Sequence, residues 1–338
     1  MPRLGEKKIA VVTGAAGFIG SHLTDLLMKT GYEVRALDDL SSGRLENLKH
    51  HNHDPKLKFE EMDVRTLPSD SKLFRDAAYV FRMAGIGDIV PSIDQPVDYL
   101  SVNVMGTVHV LEAARHAKVR KLVYAASSSC YGKDAPLPTD EKAPIVTEYP
   151  YALSKYLGEE TVRHWQKVYG LPTVSIRIFN AYGPRSRTTG AYGAVFKVFL
   201  AQKLAGKPFT VVGDGNQRRD FIFVTDVAKA FLLGAESERQ NEIYNLGAGN
   251  PQTVNRLIQL LGGEKVHLPK RPGEPECTWA DVSKTQRELG WRQTVSFEEG
   301  VASMLKNIGH WKDAPVWDPR SIEKVTKTWF AMLEKTHS

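Results

Sequence analysis

Short runs crowded with β-branched and aliphatic residues alternate, along the first half of this chain, with longer stretches whose apolar positions recur every three or four residues. The first pattern predicts buried strands and the second predicts amphipathic helices. Strands are expected at Lys8 to Thr13, Tyr32 to Leu37, Leu57 to Met62, Ala78 to Met83, Lys121 to Ala126 and Thr173 to Phe179. Helices are expected between them, at Phe18 to Lys29, Val97 to Ala117 and Tyr151 to Tyr169. Strand and helix taking turns in this way predicts an α/β fold, a Rossmann-type doubly wound parallel sheet.

After Asn180 the pattern changes to polar, glycine-containing loops, with a helix near Ala194 to Ala205. A helix at Thr225 to Ala235 and a strand at Glu242 to Leu246 read as a return to the sheet. The expected division is a sheet domain over 1–180 and about 224–250, and a smaller C-terminal lobe over 181–223 and 251–338. The helix around Val102 to Ala117 is apolar on more than one stripe, with Val102, Val104, Met105, Val108, Val110, Leu111 and Ala114. One stripe covers the sheet, and the excess predicts a second buried face, supplied by a partner copy in a homodimer built on a four-helix bundle.

Composition narrows the class without naming it. With 42% hydrophobic and 25% charged residues over 338 positions, the chain reads as an ordinary soluble globular protein with room for a large core. Its two cysteines, Cys130 and Cys277, make no disulfide framework, which fits a reducing cytoplasm. No apolar run approaches the ~20 residues of a membrane helix, and the first twenty residues lack the pattern of a cleaved leader. The net charge of +6 is scattered, with no basic cluster interleaved with aromatics, so an anionic small substrate is expected and nucleic acid is not. No metal site is expected.

Gly14, Gly17 and Gly20 follow the first predicted strand and open the first predicted helix. Glycines there permit a tight turn and let backbone approach a pyrophosphate seated on the helix N-terminus. Asp38, at the end of the second strand, can accept both ribose hydroxyls and repels a 2′-phosphate, favouring NAD over NADP. Arg35 and Arg44 stand near enough in sequence to leave NADP open. Asp63 and Val64 follow the third strand, and Ala84 and Gly85 the fourth, where a cofactor would pass.

Tyr151 and Lys155 are four residues apart on a predicted helix, so phenol and ammonium share a face. A tyrosine with pKa near ~10 is a poor base at neutral pH. A lysine cation beside it favours the phenolate, and a serine from the run Ser127, Ser128 and Ser129 can bond the same substrate oxygen. With the glycine loop, this trio reads as chemistry that takes hydride from a carbinol carbon.

The segments TGAAGFIG, LVYAASSSCYG, YALSK, IRIFNAYGP, GDGNQRRDFIFVTDVAKA and RPGEPECTWADVSKTQRELGW together resemble the extended short-chain dehydrogenase/reductase family, specifically its nucleotide-sugar 4-epimerases. The resemblance covers nearly the whole chain and is nearest to bacterial UDP-N-acetylglucosamine and UDP-hexose 4-epimerases. It implies an NAD-binding domain and a nucleotide-sugar-binding lobe, a homodimer, and a cytoplasmic isomerase of polysaccharide biosynthesis that inverts C4 through a transient 4-keto sugar. By resemblance the catalytic trio is Ser127, Tyr151 and Lys155. Cofactor contacts fall on Gly14, Gly17, Phe18, Ile19, Gly20, Asp38, Asp39, Ser42, Gly43, Asp63, Val64, Ala84, Gly85, Asn103, Tyr151, Lys155 and Phe179. Substrate contacts fall on Ser127, Ser128, Ser129, Tyr151, Asn180, Val195, Thr210, Arg219, Arg271, Glu274 and Thr278. Thr278 occupies the position that gates room for a C2 N-acetyl group, and a small residue there implies UDP-GlcNAc and UDP-GalNAc, alongside or in place of UDP-Glc and UDP-Gal.

Two departures stand out. Arg82 occupies a place where the family often has histidine. Ser128 and Ser129 stand where dehydratases of the family carry an aspartate–glutamate pair and decarboxylases a glutamate, which argues against both. A net nucleotide-sugar reductase and a silent NAD-binding scaffold are the other readings; the scaffold has no need of all three catalytic residues.

Overall fold

The computed structural model describes residues 8–188, 194–270 and 274–333. Seven parallel strands form the central sheet: β1 (Ile9–Thr13), β2 (Glu33–Asp38), β3 (Leu57–Glu61), β4 (Tyr79–Arg82), β5 (Lys121–Ser127), β6 (Thr173–Ile178) and β11 (Glu242–Leu246). The short strands are β7 (Asn180–Tyr182), β8 (Phe209–Val212), β9 (Arg218–Arg219), β10 (Phe221–Phe223), β12 (Gln252–Thr253) and β13 (Lys265–Leu268). The helices are α1 (Phe18–Lys29), α2 (Pro96–Leu100), α3 (Gly106–His116), α4 (Pro150–Tyr169), α5 (Val195–Leu204), α6 (Val224–Glu236), α7 (Val254–Leu261), α8 (Ser283–Leu289), α9 (Phe297–Lys306) and α10 (Pro319–Leu333).

The sheet runs β11-β6-β5-β4-β1-β2-β3, so strand order reverses between β1 and β4. A ligand crevice opens at the carboxyl ends of the strands at such a reversal. β1 is buried on both faces, as a central parallel strand must be. Its alternate residues divide the core: Ala10 and Val12 join Leu23 and Phe231 on one side, while Ile9 and Val11 join Val80, Leu111 and Val162 on the other. The first side is covered by α1 and α6, the second by α3 and α4.

A separate, aromatic-rich cluster lies beyond the sheet, with Tyr182, Phe196, Phe199, Phe221, Phe297 and Trp311 among its members. The segment from Ala280 to Trp291 departs from the expected division. It falls within the stretch assigned to the lobe, yet Ala280, Val282, Leu289 and Trp291 pack into the sheet's own core.

The stretch expected as one helix from Val97 to Ala117 is interrupted. α2 leads into a π-helical turn, Ser101–Met105, before α3 begins. A π turn frees a backbone carbonyl, and Arg82 Nη2 donates to the Val102 carbonyl at 2.7 Å. Of the apolar residues counted on this helix, Val110, Leu111 and Ala114 are buried on the sheet side. Met105 is 51% exposed, as are Val97 at 75% and, on α4, Leu153 at 38% and Leu157 at 37%.

Candidate active site

The glycine loop is shaped by exclusion of side chains. Gly14 has φ of +67°, and a Cβ on Gly20 would lie 2.0 Å from the Gly14 carbonyl oxygen, so α1 can begin only as close to β1 as glycine allows. The first turn of α1 carries no side-chain cap and no acid, which leaves its N-terminal amide dipoles for an anion. At the end of β2, Asp38 accepts from the backbone amides of Ala16 and Leu40, both at 2.9 Å. Burial raises its pKa, and these amides oppose the rise.

One cavity of about 1010 Å³ joins this loop to the carboxyl ends of β4, β5 and β6 and to the lobe. It is lined by Gly14, Gly17, Phe18, Ile19, Gly20, Asp38, Asp39, Ser42, Val64, Ala84, Gly85 and Phe179 of the expected cofactor contacts. Ser127, Ser128, Ser129, Tyr151, Lys155, Asn180, Val195, Thr210, Arg219, Glu274 and Thr278 line it as well. The residues available to NAD fit it: a glycine cradle, the acid Asp38 at the end of β2 beside the loop, and small residues after β4.

Three expected cofactor residues do not line the cavity. Gly43 sits behind Asp38, whose Oδ1 a Cβ would approach to 2.5 Å. The Asp63 carboxylate is taken by Arg65, with nitrogens at 2.8 and 2.6 Å from Oδ2, and Val64 and Arg65 face the cavity in its place. Asn103 is buried behind the wall. There its Oδ1 accepts from the Ile86 amide at 3.0 Å while its Nδ2 donates to Ser154 Oγ at 2.9 Å, pinning the loop after β4 to α4. Arg271 lies outside the described residues.

Of the two nearby arginines, Arg44 lines the cavity with Asp38 and Ser42, and Arg35 is turned to backbone carbonyls elsewhere. Arg35 donates to the carbonyls of Lys72, Leu73 and Arg75, and Arg44 Nη2 donates to Thr188 Oγ1 at 2.7 Å.

The trio expected to be catalytic is assembled by β5 and α4. Ser127 ends β5, and its Oγ lies 3.3 Å from the Tyr151 hydroxyl. α4 approaches β5 closely because residue 158 is glycine; a Cβ there would stand 2.2 Å from the Tyr124 hydroxyl. The next residue, Glu159, holds Arg177 of β6 through contacts of 2.9 and 2.5 Å, both side chains fully enclosed. Removing one partner of such a buried pair costs about 3–5 kcal/mol, so α4 is firmly fixed to the sheet.

The electrostatics differ from the expectation in one respect. Burial raises the Tyr151 pKa, with only the Ser127 hydrogen bond pulling it back. Lys155, with Nζ 4.7 Å from the Tyr124 ring centre, does not contribute to lowering it. Burial, and secondly the Arg82 charge, push Lys155 itself down to about 7. The protein alone therefore keeps the phenol protonated, because both groups are enclosed together and each charge loses its water.

At the lobe end, Arg219 and Glu274 approach to 3.8 Å. Thr278 donates to Asn180 Oδ1 at 2.6 Å and accepts from the Asp220 amide at 3.1 Å. Asp220 was not singled out in the sequence, yet it is fully buried and gathers the amides of Ala248, Gly249 and Ala280 at 2.7–3.0 Å. Tyr149 and Trp329 also line the cavity unannounced. They had no local signal, because their place depends on where α4 and α10 meet.

Outside the cavity, Asp25 Oδ1 is shared by His50 and His51 Nε2 at 2.8 and 2.9 Å, and its Oδ2 pairs with Arg185 at 2.8 Å. His22 Nε2 lies 3.1 Å from the Pro184 carbonyl. These contacts tie α1 to residues 183–188 on the cavity rim.

Comparison with known proteins agrees with this geometry. The family described as the NAD dependent epimerase/dehydratase family matches residues 10–247. A putative UDP-glucose 4-epimerase of Methanocaldococcus jannaschii is 36% identical over 89% of this chain and 97% of its own length. The solved UDP-N-acetylglucosamine 4-epimerase from Methanobrevibacter ruminantium, in complex with UDP-N-acetylmuramic acid, superposes with a TM-score of 0.83 at 31% identity, covering 89% of this chain and 99% of that one. UDP-glucuronic acid 4-epimerase from Bacillus cereus, in complex with UDP-glucuronic acid and NAD, gives 0.82 at 30% identity with the same coverage. Similar proteins also include a decarboxylase and a dehydratase of nucleotide sugars.

Proposed function

The chain belongs to the NAD-dependent epimerase/dehydratase family, with NAD as cofactor, and from that premise we propose that it inverts C4 of a UDP-hexose with no net redox change. The observation that carries this reading is the Tyr151 hydroxyl 3.3 Å from Ser127 Oγ, inside one cavity that also holds the glycine loop and the Arg219–Glu274 pair. Tyr151 takes the C4 hydroxyl proton, Ser127 bonds the same oxygen, and Lys155 lies one turn along the same helix face. Bound NAD supplies the hydride acceptor and donor, and a positive ring that favours the phenolate. Arg219 grips the diphosphate through charge-assisted bonds and Glu274 the nucleotide ribose, while the hexose is held loosely enough for the 4-keto sugar to present its other face. Glu274 as ribose acid, Asn180 as diphosphate donor, and Thr278 as a small gate admitting an N-acetyl group complete the assignment.

Arg271 is proposed as a second diphosphate contact from the family register alone. The division into a sheet domain over 1–180 and about 224–250 and a lobe over 181–223 and 251–338 is part of the proposal, with residues 280–291 assigned to the sheet side because they pack into its core. Exposed Val97 of α2, Met105 of the π turn, and Leu153 and Leu157 of α4 support a homodimer through these segments. No helix among the described residues is long and apolar enough to cross a membrane, which supports a cytoplasmic place. Ser128 and Ser129, in place of acids, weigh against loss of water or CO₂. A panel of UDP-, GDP-, CDP- and dTDP-sugars, read by NMR at C4, tests the reading: UDP-GlcNAc or UDP-Glc should equilibrate with its C4 epimer at unchanged mass. A product lighter by water or CO₂ would replace epimerase with lyase.

A further inference from the structure

α10 reaches the cavity from the lobe. Its buried residues Ile322, Thr326, Trp329 and Leu333 follow helical spacing on one face. Its start is fixed by reciprocal bonds between Asp318 and Ser321, the Ser321 amide donating to Asp318 Oδ1 at 2.8 Å. Just before it, the Trp317 carbonyl accepts from Gln202 Nε2 of α5 at 2.8 Å, and Ile322 packs into the aromatic cluster. Two turns further on, the helix has crossed to the sheet domain. There the Trp329 ring lies 5.3 Å from that of Tyr149, the residue preceding α4, at an interplanar angle of 52°. Tyr149 in turn meets Ser129, two residues from Ser127. Trp329, 4% exposed, thus adds an indole to the cavity wall beside the catalytic serine and tyrosine, far along the crevice from the glycine loop.

Proteins of this family are matched almost end to end by about nine-tenths of this chain. The chemistry proposed above creates a need at this place: a hexose held loosely enough to turn must still be kept from escaping. A flat apolar indole backed by a second ring meets it, because it can lie against the C–H face of a pyranose in either orientation without fixing a hydroxyl.

We propose that α10 is a strap across the site in which Trp329, packed at a tilt against Tyr149, forms the outer wall of the hexose pocket and retains the sugar of a nucleotide-hexose. The assignment deepens the C4-epimerase reading and rests on it. The test compares dissociation constants of UDP and of UDP-GlcNAc or UDP-Glc for the NAD-loaded full chain, by titration calorimetry, in the wild type, Trp329→Ala and Trp329→Phe. Trp329→Ala should weaken the UDP-sugar about tenfold, the scale of one aromatic contact, while UDP binds as before. Trp329→Phe should restore most of the loss, and KM should rise more than kcat falls. Equal weakening of UDP and UDP-sugar, or no change in either, overturns the strap. Because binding is read separately from turnover, a wild type that epimerises none of these sugars refutes the epimerase reading alone, and the ratio of the two constants still decides the wall.

Discussion

Burial sets the acid–base character of the residues at the centre of the site. Tyr151 has its pKa raised, and Lys155 is brought to about 7, by the same loss of water. Arg82 adds to the effect on Lys155. Fully buried, it is itself pushed down to about 10, and its Nε and Nη1 have no hydrogen-bond partner among the described residues. At the lobe end, Thr278 spends its hydroxyl on Asn180 and the Asp220 amide, so the gate proposed for it rests on its small size. Thr278→Tyr should cut kcat/KM for UDP-GlcNAc by roughly a hundredfold or more through steric exclusion while sparing UDP-Glc. Equal survival of both substrates in a coupled assay would remove the gate.

At the scale of elements, α1 is joined to the cavity rim by a histidine that burial and the neighbouring Arg185 charge push down to about 4. The unfolded chain takes up this proton near 6.5 and the folded chain only near 4, so acid favours unfolding between those values. The contribution of His22 is complete above pH 6.5 and is lost as pH falls toward 4. Melting temperatures across this window should fall more steeply for the wild type than for His22→Asn; parallel curves would contradict the assignment. The same helix shows what local pattern can reveal. Phe18–Lys29 has the bounds its apolar spacing predicts, because the glycine loop before it sets its start and its apolar stripe packs on the core. The helix after β4 does not, because its π turn accompanies an arginine twenty residues earlier in the chain. Asp63 has a nearer partner: Arg65, two residues on, captures its carboxylate. Tyr149 and Trp329 meet across 180 positions, which no periodicity can express.

For the whole molecule, the carboxyl edge of the sheet gathers Asp38, Ala84, Ser127 and Phe179 from four strands, all legible as strand ends in the sequence. Val97 of α2, Met105 of the π turn, and Leu153 and Leu157 of α4 are exposed apolar side chains, the surface proposed for a partner copy. Sedimentation should find a dimer for the wild type and a folded monomer for the double variant Leu153→Asp/Leu157→Asp; a monomeric wild type would contradict the dimer. The central claim is that the Tyr151 oxygen exchanges a proton with a sugar carbinol. The most direct measurement is the interconversion rate at C4, followed by NMR, for wild type and Tyr151→Phe at equal NAD loading. A fall of about a thousandfold with UDP affinity retained is the expected result, and a rate within a few-fold of wild type would contradict the account.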